Sequence, residues 1–489
     1  MTLPPELFPE SISAKQIVFV LMTLGWFAAA IPATLRFAWM DRVCIAGILF
    51  MAINPIDVTF FSYTKYRGDI RGIEFGVPDW LTMTLIVAMS FAPRWQRRKF
   101  HFRNPNEVIM WAYLGWCIFS IFVAMIPQFS FFGVTRLIRA YALFFVAFNF
   151  IRSEDDLRFV IWTVVGLTFY SFVQVMLDKY VRGIYQTRGS FDHQNTLATF
   201  QNIMNFIAFS ALMGDTGKVF DRWTKIYWGA VATGSFVTIA TLSRGGLMTM
   251  IMGYAIITPL LFWLKQDGQK VKKKFKAIGV MCLAALPALA VVLPQIIRRF
   301  NEAPEASGHA RDVFNVMAKQ LGDTHLFGIG LNNYSFAGAY IEQFREQLPP
   351  VDQGGLAHHI YWLHYAELGI VGAALFILLM LGFIAVMLRF ILKRKDGLER
   401  VFAIGVLAAF IIAMLIGTLE WNWRQTQMTL TYMMFAGFAC SLPRVERERL
   451  REERRKKQQL QVMMVYAQRG RRGTGIQTAA GTGRLGSRR

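Results

Sequence analysis

Cysteine is scarce, and the four present are scattered. Cys44, Cys117, Cys282 and Cys440 each fall within an apolar run, far from one another. That excludes a disulfide framework and a thiolate metal site. Acidic side chains are outnumbered, with 31 Asp and Glu against 53 Lys and Arg. No internal repeat is evident, which disfavours transporters assembled from repeated halves. A cleavable signal peptide is also missing: the polar stretch MTLPPELFPESISAKQ runs into an apolar segment with no small-residue cleavage pattern behind it.

Apolar side chains are plentiful. The chain is 54% hydrophobic and 15% aromatic, with a mean hydropathy of +0.36. Soluble domains do not sustain repeated apolar runs of about 18 residues. The expectation is an all-α polytopic membrane protein with about 12–13 transmembrane helices. The runs lie near 16–34, 42–54, 78–93, 107–126, 133–151, 158–177, 194–213, 225–242, 245–264, 277–296, 360–388, 401–419 and 426–442. A long, partly helical loop over 297–357 separates the tenth from the eleventh. Loops of that length inside a compact protein are usually functional.

The net charge of +22 invites a nucleic-acid reading, but the distribution of the charge opposes it. Basic residues crowd four short loops: Arg94 to Arg103, Lys218 to Lys225, Lys265 to Lys276, and Lys393 to Arg400. All four share one side if the helices alternate, and the positive-inside rule makes that side cytoplasmic. The chain divides into N-terminal transmembrane helices over 1–157, a catalytic membrane unit over 158–442, and a basic tail over 443–489. The tail, RVERERLREERRKKQQ and then a Gly/Arg-rich end, reads as a short charged helix followed by largely disordered chain on the cytoplasmic side, near anionic lipid.

Four motifs converge on the opposite, outer face: Arg188-Gly-Ser-Phe-Asp-His-Gln-Asn195, Thr241-Leu-Ser-Arg-Gly-Gly246, Gly308-His-Ala-Arg311 followed by Gly328-Ile-Gly-Leu-Asn-Asn-Tyr334, and Ala357-His-His-Ile-Tyr361 at the head of the eleventh helix. Arginine on this face runs against the charge bias. The bland alternative is a side chain snorkelling to the headgroups. Arg244 sits in a turn with two glycines, where backbone can approach a ligand closely. A planar, permanently charged guanidinium suits phosphate oxygens, so Arg188 and Arg244 together suit a lipid diphosphate. Arg311 either pairs with Asp312 or Asp323 or meets a ligand. Gly328 and Gly330 read locally as a tight turn, because no strand precedes them. His193 and His309 read as polar loop residues, and His364 as packed in its helix. The adjacent pair His358 and His359 titrates near neutral pH at the water–lipid boundary, where either imidazole can accept a proton. Its spacing and lack of carboxylate company do not make a metal site. Few acidic residues sit on this face, which argues against a bound divalent cation.

The motifs, in their order, resemble the O-antigen ligase/polymerase family: the lipopolysaccharide O-antigen ligases and Wzy-type polysaccharide polymerases. The resemblance implies a metal-independent, inverting glycosyltransferase with no cofactor. It would sit in the bacterial inner membrane and move a glycan from undecaprenyl diphosphate to a glycan or lipid acceptor on the periplasmic side. It implies His358 as the base and Arg188 and Arg244 as the catalytic arginines, with Asn195, Arg311, Gly328, Gly330, Tyr334, His359 and Tyr361 contacting substrate. The sequence departs from the family at His359, where Asn is usual, and at His193-Gln-Asn195, where an Asn-Pro-Asn-like stretch is common. Two alternatives share the same residues: a flippase for a lipid-linked glycan, and a protein O-oligosaccharyltransferase. Glu367 and Glu420 lie near helix ends and supply no mid-membrane acidic set for ion coupling.

Overall fold

The computed structural model describes residues 7–96, 100–214, 222–262, 268–301, 305–347, 349–350, 352–393 and 397–474. All thirteen expected segments are helical, so the protein is an all-α polytopic membrane protein. Its helices are α1 (Ala14–Arg36), α2 (Trp39–Met51), α3 (Val77–Phe91), α4 (Pro93–Gln96), α5 (Glu107–Phe119), α6 (Pro127–Phe150), α7 (Glu154–Met176), α8 (Gln194–Gly214), α9 (Arg222–Ala240), α10 (Arg244–Phe262), α11 (Gly268–Asn301), α12 (Glu305–Thr324), α13 (Tyr334–Tyr340), α14 (Glu342–Arg345), α15 (Ile360–Lys393), α16 (Leu398–Ile416) and α17 (Thr426–Thr474). Among the described residues, seven of these are long and apolar enough to cross a membrane on those criteria alone. The long loop holds the 20-residue helix α12 and the two short helices α13 and α14, in keeping with its expected partial helicity.

Local chemistry sets several helix starts. Ser13 and Gln16 form a reciprocal cap on α1, and Ser153 and Asp156 do the same on α7. The charged side chains Glu154, Asp155 and Asp156 in the first turn of α7 also suit the positive end of its dipole. Ser243 caps α10 by accepting the Gly246 N–H at 3.0 Å. A Cβ on Gly245 would stand 3.0 Å from Ile416, and one on Gly246 would stand 2.5 Å from Ala198. These two glycines therefore seat α10 against α16 and α8; they serve helix packing, where the sequence pointed to a ligand.

Two short strands interrupt the all-helical picture. β1 (Asp57–Phe60) pairs antiparallel with β2 (Ile73–Gly76), with Thr59 opposite Glu74. Phe19 of α1 packs on the hairpin through Phe60 and Phe75 and stacks on Trp80. At the hairpin tip, buried Tyr66 stacks on Phe129 at 3.9 Å and donates to the Asn332 carbonyl.

The GIGLNNY and AELG motifs interlock. α15 breaks at Gly369, whose φ of 66° and ψ of −173° are not helical. The break frees the carbonyls of Ala366 and Glu367, which accept from Ile329 and Gly330 at 3.0 and 2.8 Å. Gly328 and Gly330 have φ of +76° and +95°, a region that favours glycine. Any Cβ there would meet the Glu367 carbonyl or Ala124 at 2.3 Å. Asn333 then holds the start of α6, accepting from the Ile126 N–H at 2.8 Å and donating to Ser130 at 2.9 Å.

The molecule forms two units, Met1–Leu442 and Pro443–Arg489. In the second, helix continues to Thr474, so the charged helix is longer than expected. The helix takes in the first part of the Gly/Arg-rich end, 469–474, which was expected to be disordered, and the rest, 475–489, lies outside the described residues.

Candidate active site

The beginning of α15 is tied to the end of α16. The Ile360 N–H donates to the Gly417 carbonyl at 2.8 Å, and the Tyr361 hydroxyl donates to the Met414 carbonyl at 2.6 Å. Four residues past the end of α16 comes Glu420, its N–H bonded to Ile416 at 2.8 Å. The two ties place Glu420 beside the histidine pair.

The adjacent histidines do different things. His359 caps α15: its carbonyl accepts from Leu363 at 3.0 Å and its Nδ1 accepts from the Trp362 N–H at 3.3 Å. Partial burial lowers its pKa below the usual histidine value, which suits a ring nitrogen that must stay unprotonated to accept. His358 instead lines a cavity of about 1000 Å³ and sets its Nδ1 3.4 Å from Glu420 Oε2.

Glu420 is the hub. Its Oε1 accepts from Asn195 Nδ2 at 2.6 Å and from Arg311 Nη2 at 3.3 Å. One carboxylate thus joins the head of α8, the helix α12 of the long loop, the residue just before the N-cap of α15 and the segment beyond α16. A carboxylate can only accept, so His358 Nδ1 carries the proton in this pair. In the neutral ring the Nε2 lone pair is then available.

The loop before α8 completes the mouth. Asp178, buried in a single π-helical turn (Leu177–Val181), accepts the Gly189 N–H at 3.0 Å and pairs with Arg182 at 2.8 Å. This anchors the segment carrying exposed Arg188, whose Nη1 donates to the Asp192 carbonyl at 3.2 Å. His193 lines the cavity with His358 and Glu420. Glu420, His358, Arg311 and Arg188 all lie near enough to act on it electrostatically.

The structure therefore brings together His358, Arg311 and Asn195 through Glu420, with Arg188 alongside. Arg244 stands at the first position of α10, exposed, at the same end of the bundle, since its neighbours Gly245 and Gly246 pack on Ile416 and Ala198. Tyr361 supports the site through its bond to Met414. Gly328, Gly330 and Tyr334 stand apart. Tyr334 is fully buried, its hydroxyl bonded to the Phe314 carbonyl at 2.6 Å and its N–H to Glu367 at 3.2 Å. These three belong to the motif interlock, and none of them lines the cavity. Arg311 pairs with neither Asp312 nor Asp323; its carboxylate partner is Glu420. The side chain of His309 lies outside the described residues.

Glu420 was legible only as an acidic residue near a helix end. The hairpin carried no usable signal, yet Asp57, Asp69, Arg71 and Glu74 line the cavity. This face is richer in acid than the sequence indicated. Burial raises the carboxyl pKa of both Asp57 and Glu74, with Arg139 opposing it. Among the described residues, no group of three or more His, Cys, Asp or Glu is arranged to hold a metal ion.

No curated protein matches the chain. Residues 229–377 match the family model described as O-antigen ligase. The matched span contains Arg244, Arg311 and His358, while Arg188, His193, Asn195 and Glu420 lie outside it.

Proposed function

Because the chain carries an O-antigen ligase family domain in an all-α polytopic membrane protein, we propose that it transfers a glycan from undecaprenyl diphosphate to an acceptor hydroxyl at the His358–Glu420 cavity, on the periplasmic side of a bacterial inner membrane. The observation that carries this reading is the His358–Glu420 pair on the cavity wall. A carboxylate on Nδ1 orients the imidazole and stabilises the imidazolium that forms when Nε2 takes a proton, the same logic by which an acid supports a catalytic histidine in hydrolases.

The reaction is a single displacement. His358 Nε2 accepts the proton of the acceptor hydroxyl, whose oxygen attacks the anomeric carbon. The bond from that carbon to the diphosphate oxygen breaks, its electron pair leaves with the lipid diphosphate, and the anomeric centre inverts. Arg188 and Arg244 match the charge that grows on the departing diphosphate. A diphosphate is already a good leaving group, so the reading is metal-independent. Arg311 and Asn195 hold Glu420 in place. The acceptor is a glycan or lipid hydroxyl.

The test uses purified protein, a lipid-linked glycan and candidate acceptors, with a chelator present. Release of lipid diphosphate that requires both acceptor and His358 supports the reading. Movement of intact donor between leaflets, without cleavage, selects transport and overturns it.

A further inference from the structure

His193 is absorbed by none of the roles above. It is the N-cap of α8: its carbonyl accepts from Thr196 at 3.1 Å and Leu197 at 3.3 Å, and its Nδ1 accepts the Asn195 N–H at 3.1 Å. A backbone N–H can only donate, so Nδ1 has no proton. The proton of the neutral ring is then on Nε2, on the far side from the helix, in a side chain that lines the same cavity as His358.

The two cavity histidines are thus held in opposite tautomers. In His358 the carboxylate takes the Nδ1 proton as a hydrogen bond and leaves Nε2 as an acceptor. In His193 the backbone occupies Nδ1 and leaves Nε2–H as a donor. We propose that His193 is the leaving-group donor of this site, hydrogen-bonding through Nε2–H to the diphosphate oxygen that departs from the anomeric carbon. This rests on the glycosyl-transfer reading and adds a residue to it.

Loss of water at the cavity mouth lowers the His193 pKa, which keeps the ring neutral; the charge of Glu420 pulls the other way, while His358, Arg311 and Arg188 reinforce the lowering. A neutral imidazole that donates without giving up its proton needs no proton bookkeeping. The acceptor's proton goes to His358 and then to solvent, the electron pair of the broken bond goes to the phosphate oxygen, and the His193 proton stays on Nε2.

The cap and the donor can be separated by substitution. Asparagine is a strong N-cap, so H193N retains an acceptor for the Asn195 N–H but lacks a donor at the reach of Nε2. Glutamine places an amide N–H near that reach and is a poorer cap. The probe is undecaprenyl diphosphate, titrated into protein in lipid nanodiscs, with melting temperature measured alongside. A hydrogen bond to a charged group implies that H193N binds about 10–100-fold more weakly than wild type at an unchanged melting temperature, while H193Q stays within a few-fold. In turnover of a lipid-linked glycan, H193N loses about 10²-fold in kcat, as removal of one fixed donor does elsewhere.

Wild-type binding by H193N overturns the proposal, as does equal weakening of both variants with a lowered melting temperature, which would mark a capping role alone. His358→Ala separates this result from the underlying reading. It should bind the lipid diphosphate near normally and fail in turnover. Turnover by that variant overturns the role of His358, and a wild-type protein that does not bind undecaprenyl diphosphate overturns both ideas.

Discussion

Two clusters of carboxylate and arginine are built from the same side-chain types and differ in what they leave open. In the first, Glu367 meets Arg424 and caps α13 through Tyr334, while Asp69 meets Arg136 and stands 3.8 Å from Arg424 Nε. Two acids face two guanidinium groups, all deeply buried. In the second, Glu420 meets one arginine, one amide and one imidazole, and Arg188 beside it donates to a neutral backbone carbonyl. The first cluster is charge-balanced and deeply buried, and only its Asp69 reaches the cavity wall. The second opens onto a cavity with cationic groups at its mouth and a histidine edge unspent. Burial with matched charge makes the first a clamp on the fold, and exposure with unmatched valence makes the second a place where an anion and a hydroxyl can be received.

The largest effect that would sharpen this contrast is on rate. His358→Ala should cut glycan transfer by about 10²–10⁴-fold, the usual worth of a general base, with the melting temperature unmoved. The neighbouring His359→Asn should retain activity within several-fold, because it replaces one cap with another. A reversed outcome would move the catalytic role one residue along the chain.

The closed cluster should fail differently. Glu367→Ala strands the Arg424 guanidinium, whose charged form is held by Glu367 and Asp69 against the cost of burial. Breaking one half of a buried pair costs about 3–5 kcal/mol. The expected readout is a large drop in melting temperature and yield, with near-normal transfer per folded molecule. If the melting temperature were normal and turnover lost, the two clusters would not be separable into fold and chemistry. Glu420→Gln comes next in size. It keeps the shape of the side chain and removes the charge that supports His358 and Arg311, so kcat should fall about 10–100-fold, as supporting partners of catalytic groups typically cost. Unchanged kcat would return Glu420 to a purely structural role.

The difference between the clusters also explains what could be read from the sequence. Apolar runs reveal helices because each run carries its own signal: a helix lies on every expected run, and among the described residues seven are long and apolar enough to cross a membrane. His358 and Arg188 were legible because histidine and arginine at a lipid boundary are chemically conspicuous. Glu420 was passed over because its importance lies in a pairing across 62 residues of chain, which no local pattern encodes. The family resemblance implies substrate contacts for Gly328, Gly330 and Tyr334, yet their N–H groups go to the His325 carbonyl, the Glu367 carbonyl and the Glu367 carboxylate, and the Tyr334 hydroxyl goes to the Phe314 carbonyl. The hairpin of β1 and β2 was invisible for another reason: four-residue strands between apolar helices are too short to show an alternating period.

The smallest expected effect separates the two adjacent histidines by pH. Burial holds the His359 pKa below its ordinary value of 6.5, so in the window beneath 6.5 the unfolded chain binds more protons at this position than the folded one. Stability then rises with pH through that window, and it falls as the solution is acidified from pH 7 towards the folded-state value. Protonation also removes the acceptor for the Trp362 N–H and places a cation at the positive end of α15. Asp57 and Glu74 act with the opposite sign, since their raised carboxyl pKa values favour the folded state as acid is added. A single melting curve against pH mixes the two trends. The difference between wild type and His359→Asn isolates the histidine, because asparagine caps α15 without titrating. The variant should lose less melting temperature between pH 7 and pH 5 than the wild type does. Equal losses would mean that the His359 imidazole is as easily protonated in the fold as outside it, and the division of labour between a capping and a reacting histidine would lose its physical basis.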